Sequence, residues 1–270
     1  MKDLAVLIPV YNDHTEIIVT LNSIREKDNE FKVIIVDDGS TSPLKIDTSL
    51  FPFEIIVIAL PQNQGIVEAL NSGLRYILQD KNINYIARLD AGDLQREDRL
   101  NIQYEYMRSN PDIFLLGSAV NFISEEGVFL YTYQPPLIDS EIKNKIFLRC
   151  CFIHPSVIIN KTVFEKIDIY SEKYIYAEDY DLFLRITQNY RVANLPNILL
   201  SCSIREKGIS NSKRRVQMKN TLNLLINNRH YNNIYWFFGI TVVIVKWILP
   251  RSFFSYVKTI INKILSFFRK

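Results

Sequence analysis

Cysteine is scarce in this chain of 270 residues: Cys150, Cys151 and Cys202 are the full complement. Three thiols cannot all pair within one chain, and sequence neighbours are rarely bridged to each other, so a disulfide framework is excluded and a reducing compartment is expected. Glycine (8) and proline (10) are sparse and aromatic residues run throughout, which excludes a collagenous, low-complexity or disordered chain. No internal repeat is present. The opening Lys2-Asp3 leads into LAVLIPV, which is short and lacks a small-residue cleavage site, so it is expected to be a first strand and not a secretory signal. Acidic residues stop at Glu206: beyond it stand twelve Lys and Arg and no Asp or Glu, whereas residues 1–206 hold 20 basic and 29 acidic groups. The chain is an acidic body with a basic tail. At 48% hydrophobic residues it can bury one large core with an appendage, but hardly two full domains.

Residues 4–10, 32–37, 54–60 and 84–89 are short Val-, Ile- and Leu-rich runs of the kind that form parallel strands covered on both faces. Between them the spacing predicts helices, one from Thr15 to Glu26 with Ile17, Ile18, Leu21 and Ile24 on one face, and one from Ile66 to Leu78. This alternation is the signature of a doubly wound α/β sheet. Residues 113–123 and 128–133 read as strands, 139–149 and 161–167 as short helices, and Asp179–Asn189 as a helix burying Leu182, Phe183 and Ile186.

Ligands of such sheets bind at the carboxyl ends of the strands. There the first strand ends in Pro9-Val10-Tyr11-Asn12, the second in Asp37-Asp38-Gly39-Ser40 and the fourth in Asp90-Ala91-Gly92-Asp93. The first of these is not the Gly-rich fingerprint of a dinucleotide-binding oxidoreductase, which removes that class. Asp-Gly-Ser alone is ordinary turn chemistry. Asp90 and Asp93 suit a hard divalent cation, which takes one or two carboxylates with phosphate and water. Asp93 equally suits the cap of a helix from Gln95 to Met107. Glu178-Asp179-Tyr180-Asp181 fits either a catalytic carboxylate or an acidic first turn favoured by the helix dipole. His154, before Pro155, is a turn residue or a metal or diphosphate contact. Arg88, Arg99 and Arg185 are left to pair with these carboxylates or to contact phosphate.

Six segments carry a more specific resemblance: LAVLIPVYN, VIIVDDGST, NQGIVEALNSGL, IARLDAGDLQREDRLNIQ, His154-Pro155-Ser156 and YAEDYDLFLRI. In this order they resemble the motif set of the family 2 inverting glycosyltransferases, over roughly residues 3–210. The resemblance implies a Rossmann-like α/β fold of the A type, with a mixed central sheet, as a catalytic domain at 1–210; residues 211–270, beyond it, are expected to be a basic, apolar, helical membrane-associating extension. It implies a nucleotide-sugar donor, uridine-linked in many relatives, with Pro9 and Tyr11 lining the nucleoside pocket, Asp38 hydrogen-bonded to the base, and Asn63 and Asn71 on the nucleotide side. Asp90 and Asp93 would take the place of the Asp-any-Asp motif that holds Mn²⁺ or Mg²⁺ and the diphosphate, with His154 as a lesser metal candidate. Asp179 would be the general base, with Glu178 its less favoured substitute. One departure stands out, because many relatives carry Asp where this chain has Gly92, and the second metal-side carboxylate is therefore moved to Asp93.

No apolar run reaches the ~20 residues needed to span a bilayer. The longest block, Ile234–Leu249, is interrupted by Lys246 and is expected to insert shallowly or re-enter; Ser252–Phe268 spaces its Phe, Ile and Leu as a basic amphipathic helix lying on an anionic membrane. Docking of both segments on the body, or a dimer contact, is the alternative. Nucleic acid is excluded as a partner by the apolar stripe and the acidic body. Together these readings predict an enzyme on the inner, cytoplasmic face of the cell membrane that acts on a glycan or lipid-linked oligosaccharide. The competing reading, prompted by Gly92, is a non-catalytic nucleotide-sugar-binding relative serving as an assembly partner.

Overall fold

The computed structural model describes residues 1–205, 213–229 and 233–249. Four of the apolar runs form β1 (Leu4–Val10), β2 (Lys32–Asp37), β3 (Glu54–Ala59) and β4 (Tyr85–Arg88), which pair in parallel in the order β3-β2-β1-β4. Helices α1 (His14–Ser23) and α2 (Ile66–Gln79) make the crossovers. They cover opposite faces of the sheet: Ile17 and Leu21 of α1 join one core, and Val67, Leu70, Leu74 and Ile77 of α2 join the other. Gly73 lets α2 lie directly on β1, since a Cβ there would come within 2.2 Å of a Leu7 methyl. Fully burying each such aliphatic side chain is worth about 1.5–3 kcal/mol.

The sheet continues through β8 (Ile158–Asn160), β6 (Ile113–Ser124), β9 (Arg191–Ile204) and β5 (Leu94–Gln95), with β7 (Phe129–Tyr133) paired beside β6. β8 is antiparallel to both β4 and β6, β9 runs parallel to β6, and β5 and β7 are antiparallel to their partners. The sheet is mixed, as the fold class requires. β3 corrects the expectation of strands buried on both faces: it is the edge strand, and Glu54, Val57 and Ala59 are exposed.

Helix α3 (Arg99–Ser109) starts later than its expected position at Gln95, because Leu94 and Gln95 are drawn into the ladder with β9. Asp93 is therefore not its cap. Asp98 holds the cap position at φ 57° but makes no capping bond with its side chain. The oxygens come from Glu26, whose carboxylate accepts the N–H groups of Leu100 (2.8 Å) and Asn101 (3.1 Å). Burial pushes the Glu26 carboxyl up to about 7, against the lowering effect of those two bonds.

α4 (Asp139–Lys145) and α5 (Glu178–Asn189) complete the body, and the run at 161–167 forms a 3-10 turn over Lys161–Glu165. In the tail, α6 (Arg214–Asn227) and α7 (Ile234–Ile248) dock one face on the body. Leu224, Leu225, Trp236 and Val243 belong to its core, the Trp236 indole donates to Leu225 O at 2.7 Å, and Gly239 sits against the backbone of Phe147. The outer face of α7 leaves Phe237, Phe238, Trp247 and Ile248 exposed. Among the described residues no helix is long and apolar enough to cross a membrane. The segment Ser252–Phe268 lies outside the described residues.

Candidate active site

The carboxyl ends of β1, β2 and β4 form one rim, and the loops on it are tied to each other. Asn12 adopts φ 57°, accepts the Thr41 N–H on Oδ1 at 2.9 Å and donates its own N–H to the Ser40 hydroxyl at 2.8 Å. Asp37 accepts from Ser40 N and Leu44 N, which fixes the loop after β2. Asp38 reaches the next loop, where its carboxylate accepts Gln64 N (2.8 Å), Gly65 N (2.9 Å) and Asn63 Nδ2 (3.1 Å). Burial raises the Asp38 carboxyl and those backbone bonds oppose the rise. Pro9 is buried at the end of β1 and Tyr11 is 44% exposed on the rim. Asp38 itself is 3% exposed, so it holds the loop bearing Asn63 from beneath the rim. Asn71 is buried, and both ends of its amide bond the backbone of Tyr170, at 2.9 and 3.1 Å. Its place on the nucleotide side is corrected to that of a clip between α2 and the segment bearing Tyr170.

At the end of β4 the chain turns tightly through Asp90-Ala91-Gly92-Asp93. The Thr20 hydroxyl of α1 staples this turn, donating to Asp93 O at 2.9 Å and accepting from Gly92 N at 2.8 Å. The buried Arg88 guanidinium pairs with the Asp90 carboxylate, which is 40% exposed. Asp93 faces the other way: it is 6% exposed and its carboxylate accepts the Ser203 N–H of β9 at 2.9 Å. Burial, and then the charge of Asp90, push its carboxyl up to about 8. Gly92 has φ +94°, and against its Cα lies Arg205, which follows β9. The Arg205 guanidinium donates to Ala91 O and to the Asp13 carboxylate, each at 2.6 Å.

Across the opening, Glu178 and Asp179 begin α5. Asp179 accepts the Tyr180 N–H at 2.7 Å, so the helix N-terminus orients it. Burial raises its carboxyl; Tyr180 N–H opposes this, Asp90 adds to it and Arg88 subtracts. The charges of Asp90, Arg88 and Asp179 therefore act on one another in a single site. Burial, and then the Asp179 charge, push Glu178 up to about 7. Arg88 Nε and Glu178 Oε2 are buried without a hydrogen-bond partner among the described residues. His154 Nε2 bonds the Tyr170 hydroxyl at 2.7 Å, its ring packs edge-on against Phe183, and burial holds it well below its usual pKa. Asp181 and Arg185 form an i,i+4 pair at 2.8 Å, and Arg99 is buried on Gln103 and Arg88 O, so these residues support the site from outside it.

Residues 5–168, which include the strand-end rim and end before α5, match the model of glycosyl transferase family 2. The chain belongs to that family. An uncharacterized glycosyltransferase of Methanocaldococcus jannaschii is 35% identical over 179 residues, covering 63% of this chain and 61% of that relative, so the chain spans under two thirds of its length. The amylovoran biosynthesis glycosyltransferase AmsE of Erwinia amylovora is 30% identical over 203 residues, 73% of this chain and 74% of its own. The fold recurs in S. aureus TarS 1-349 in complex with UDP-GlcNAc (TM-score 0.62, 20% identity, 83% of this chain and 66% of that one). It recurs also in the mannosyltransferase PcManGT from Pyrobaculum calidifontis in complex with GDP-Man and Mn²⁺ (TM-score 0.63, 15% identity, 92% and 70%).

A family 2 glycosyltransferase is expected to hold a divalent cation on its acidic turn, and the residues of this one do not fit that ion. Asp90 is already paired with a buried arginine, Asp93 is turned under β9, and His154 spends its Nε2 on Tyr170. Position 92 has no carboxylate and a guanidinium beside it. The glycosyltransferase site also contains two residues that sequence reasoning passed over. Thr20 looked like one polar position of an amphipathic helix. Arg205 stood alone after an unrecognised strand.

Proposed function

We propose that the chain transfers a sugar from a nucleotide-diphosphate donor, uridine-linked, to a hydroxyl of a lipid-linked glycan in surface polysaccharide synthesis, by a displacement that inverts the anomeric carbon. The observation that carries this reading is the mutual placement of Asp90 and Arg88 on the strand-end rim and Asp179 at the start of α5. A donor lying along the rim would turn its diphosphate toward Arg88 and Asp90. The acceptor would then enter from the α5 side, where Asp179 takes its proton as the new bond forms. Glu178, beside it and facing the same buried space, is positioned to share that proton. The loop held by Asp38, with Tyr11 and Pro9, would receive the nucleoside.

The relatives support a nucleotide-sugar donor and the setting: AmsE is named for amylovoran biosynthesis, and the TarS and PcManGT structures hold UDP-GlcNAc and GDP-Man. The exposed apolar face of α7, followed by the basic tail, supports peripheral attachment to an anionic membrane on its inner face, where lipid-linked acceptors are presented. Gly92 favours a second reading, a nucleotide-sugar-binding relative without turnover.

Transfer assays separate the two. Purified full-length protein, supplied with UDP-, GDP- and dTDP-sugars and with extracted lipid-linked glycans, is expected to incorporate sugar from a UDP-linked donor and to release UDP. Binding of UDP with no transfer from any donor to any of these acceptors would favour the non-catalytic reading.

A further inference from the structure

We propose that Arg205 takes over the office of the missing divalent cation, so that this glycosyltransferase binds its donor's diphosphate with a guanidinium and without dependence on metal. The inference rests on the nucleotide-sugar reading above. A Cβ at Gly92 would fall 2.3 Å from Arg205 Nη2 and 3.3 Å from its Cζ, so the guanidinium occupies the space in which a side chain at position 92 would begin. It is held there by two bonds at 2.6 Å, to Ala91 O on the acidic turn and to Asp13 after β1. Both anchors belong to the rim on which Asp90 stands. The ends of β1, β4 and β9 therefore converge on one positive group.

The ion pairs support the exchange. Asp90 pairs with Arg88 and Asp13 with Arg205, so a guanidinium stands against each of these two carboxylates. A divalent ion added to this cluster would meet a guanidinium in place of a ligand. A diphosphate on the rim would meet the Arg205 guanidinium, 28% exposed, whereas Arg88 is 3% exposed beneath Asp90. Arginine presents a planar fork of N–H donors matched to phosphate oxygens, and it keeps its charge at every working pH. As the glycosidic bond breaks, the electron pair stays on the β-phosphate oxygen, and a fixed guanidinium stabilises that charge as it develops.

Titration calorimetry of the full-length protein with UDP and with GDP, in EDTA and in excess Mn²⁺, tests the assignment. The wild type is expected to bind UDP in EDTA within about threefold of its affinity in Mn²⁺. Arg205→Ala should weaken binding in EDTA by about 10- to 100-fold, the loss of charge-assisted hydrogen bonds. Arg205→Lys should recover part of it by restoring charge without the fork, and it serves as the informative variant if the alanine form melts early. Tight binding that requires Mn²⁺ in the wild type would overturn the proposal, and so would wild-type affinity in EDTA for folded Arg205→Ala. Failure of both nucleotides to bind in either condition would instead overturn the nucleotide-sugar reading, and this inference with it.

Discussion

Replacing Asp179 by Asn is expected to lower kcat for sugar transfer by about 10²–10⁴-fold, the usual contribution of a positioned general base, while leaving nucleotide affinity near that of the wild type. The amide keeps the shape of the side chain and its oxygen can still accept from Tyr180 N–H, so α5 should start as before. What is lost is the proton-accepting oxygen. Because burial raises Asp179 and the Asp90 charge adds to the rise, the base carries a proton at pH values where an ordinary aspartate is ionised. A base works only when unprotonated, so wild-type kcat should fall as pH drops, and the acid limb should lie above the ordinary carboxylate value of about 4. Burial and the Asp179 charge raise Glu178 as well, so the limb belongs to the pair and not to either residue alone. Rate–pH profiles of the wild type, Asp179→Asn and Glu178→Gln check this. Full turnover by Asp179→Asn with loss in Glu178→Gln would move the base to Glu178.

Gly39→Ala should be nearly as damaging, and through the donor side. Gly39 sits at φ +66°, where an L side chain costs about 1–2 kcal/mol. Its added Cβ would lie 2.2 Å from Gln62 C and 2.5 Å from Asn63 N. Both are main-chain atoms, which cannot swing aside as a side-chain end would, and such overpacking costs a further ~1–3 kcal/mol. The displaced segment is the one whose N–H groups Asp38 gathers at Gln64 and Gly65. Thermal melts should show a loss of several degrees, and UDP affinity should fall at least about tenfold. A variant with wild-type melting and wild-type UDP binding would show that the close approach of these two loops does not organise the nucleoside pocket.

The parallel half of the fold was legible because its signals are local. β1, β2 and β4 are unbroken aliphatic runs, and α1, α2 and α5 repeat their apolar positions at helical spacing. β9 was given no element in the sequence, and Pro196 and Asn197 interrupt its apolar pattern. In the structure both residues are exposed, and the ladder to β6 shifts register around them, passing from Leu195 opposite Ser118 to Ile198 opposite Ala119. β5 and β8, at two and three residues, are too short to show a period. The α3 boundary was misplaced for a related reason. The oxygens that cap it belong to Glu26, which lies far upstream in the sequence and across α1 from the helix it serves.

The site divides along the same line. Asp38, Asp90 and Asp179 could be picked out because strand ends and a helix start are visible in sequence, and the order of the motifs supplied their roles. Asn71 had the same motif support, yet its amide is consumed by Tyr170, a contact 99 residues away in sequence. Asp93 looked like either a ligand or a cap. It is neither, because β9 passes over it and donates the Ser203 N–H. Gly92 did signal a change in the site, since a carboxylate is missing there. Only the return of β9 to the rim reveals the charge that stands beside the gap.

In the proposed reaction, Asp179 and the diphosphate-facing rim lie on opposite sides of the reacting sugar, so that attack and departure are in line. The configuration of the new linkage reports on that directly. With an α-linked UDP-sugar, ¹H NMR of the purified product is expected to show a β-glycosidic bond to the acceptor, in material made by the wild type and nearly absent from Asp179→Asn reactions. A product that retains the α configuration would contradict the placement of the base and the displacement built on it.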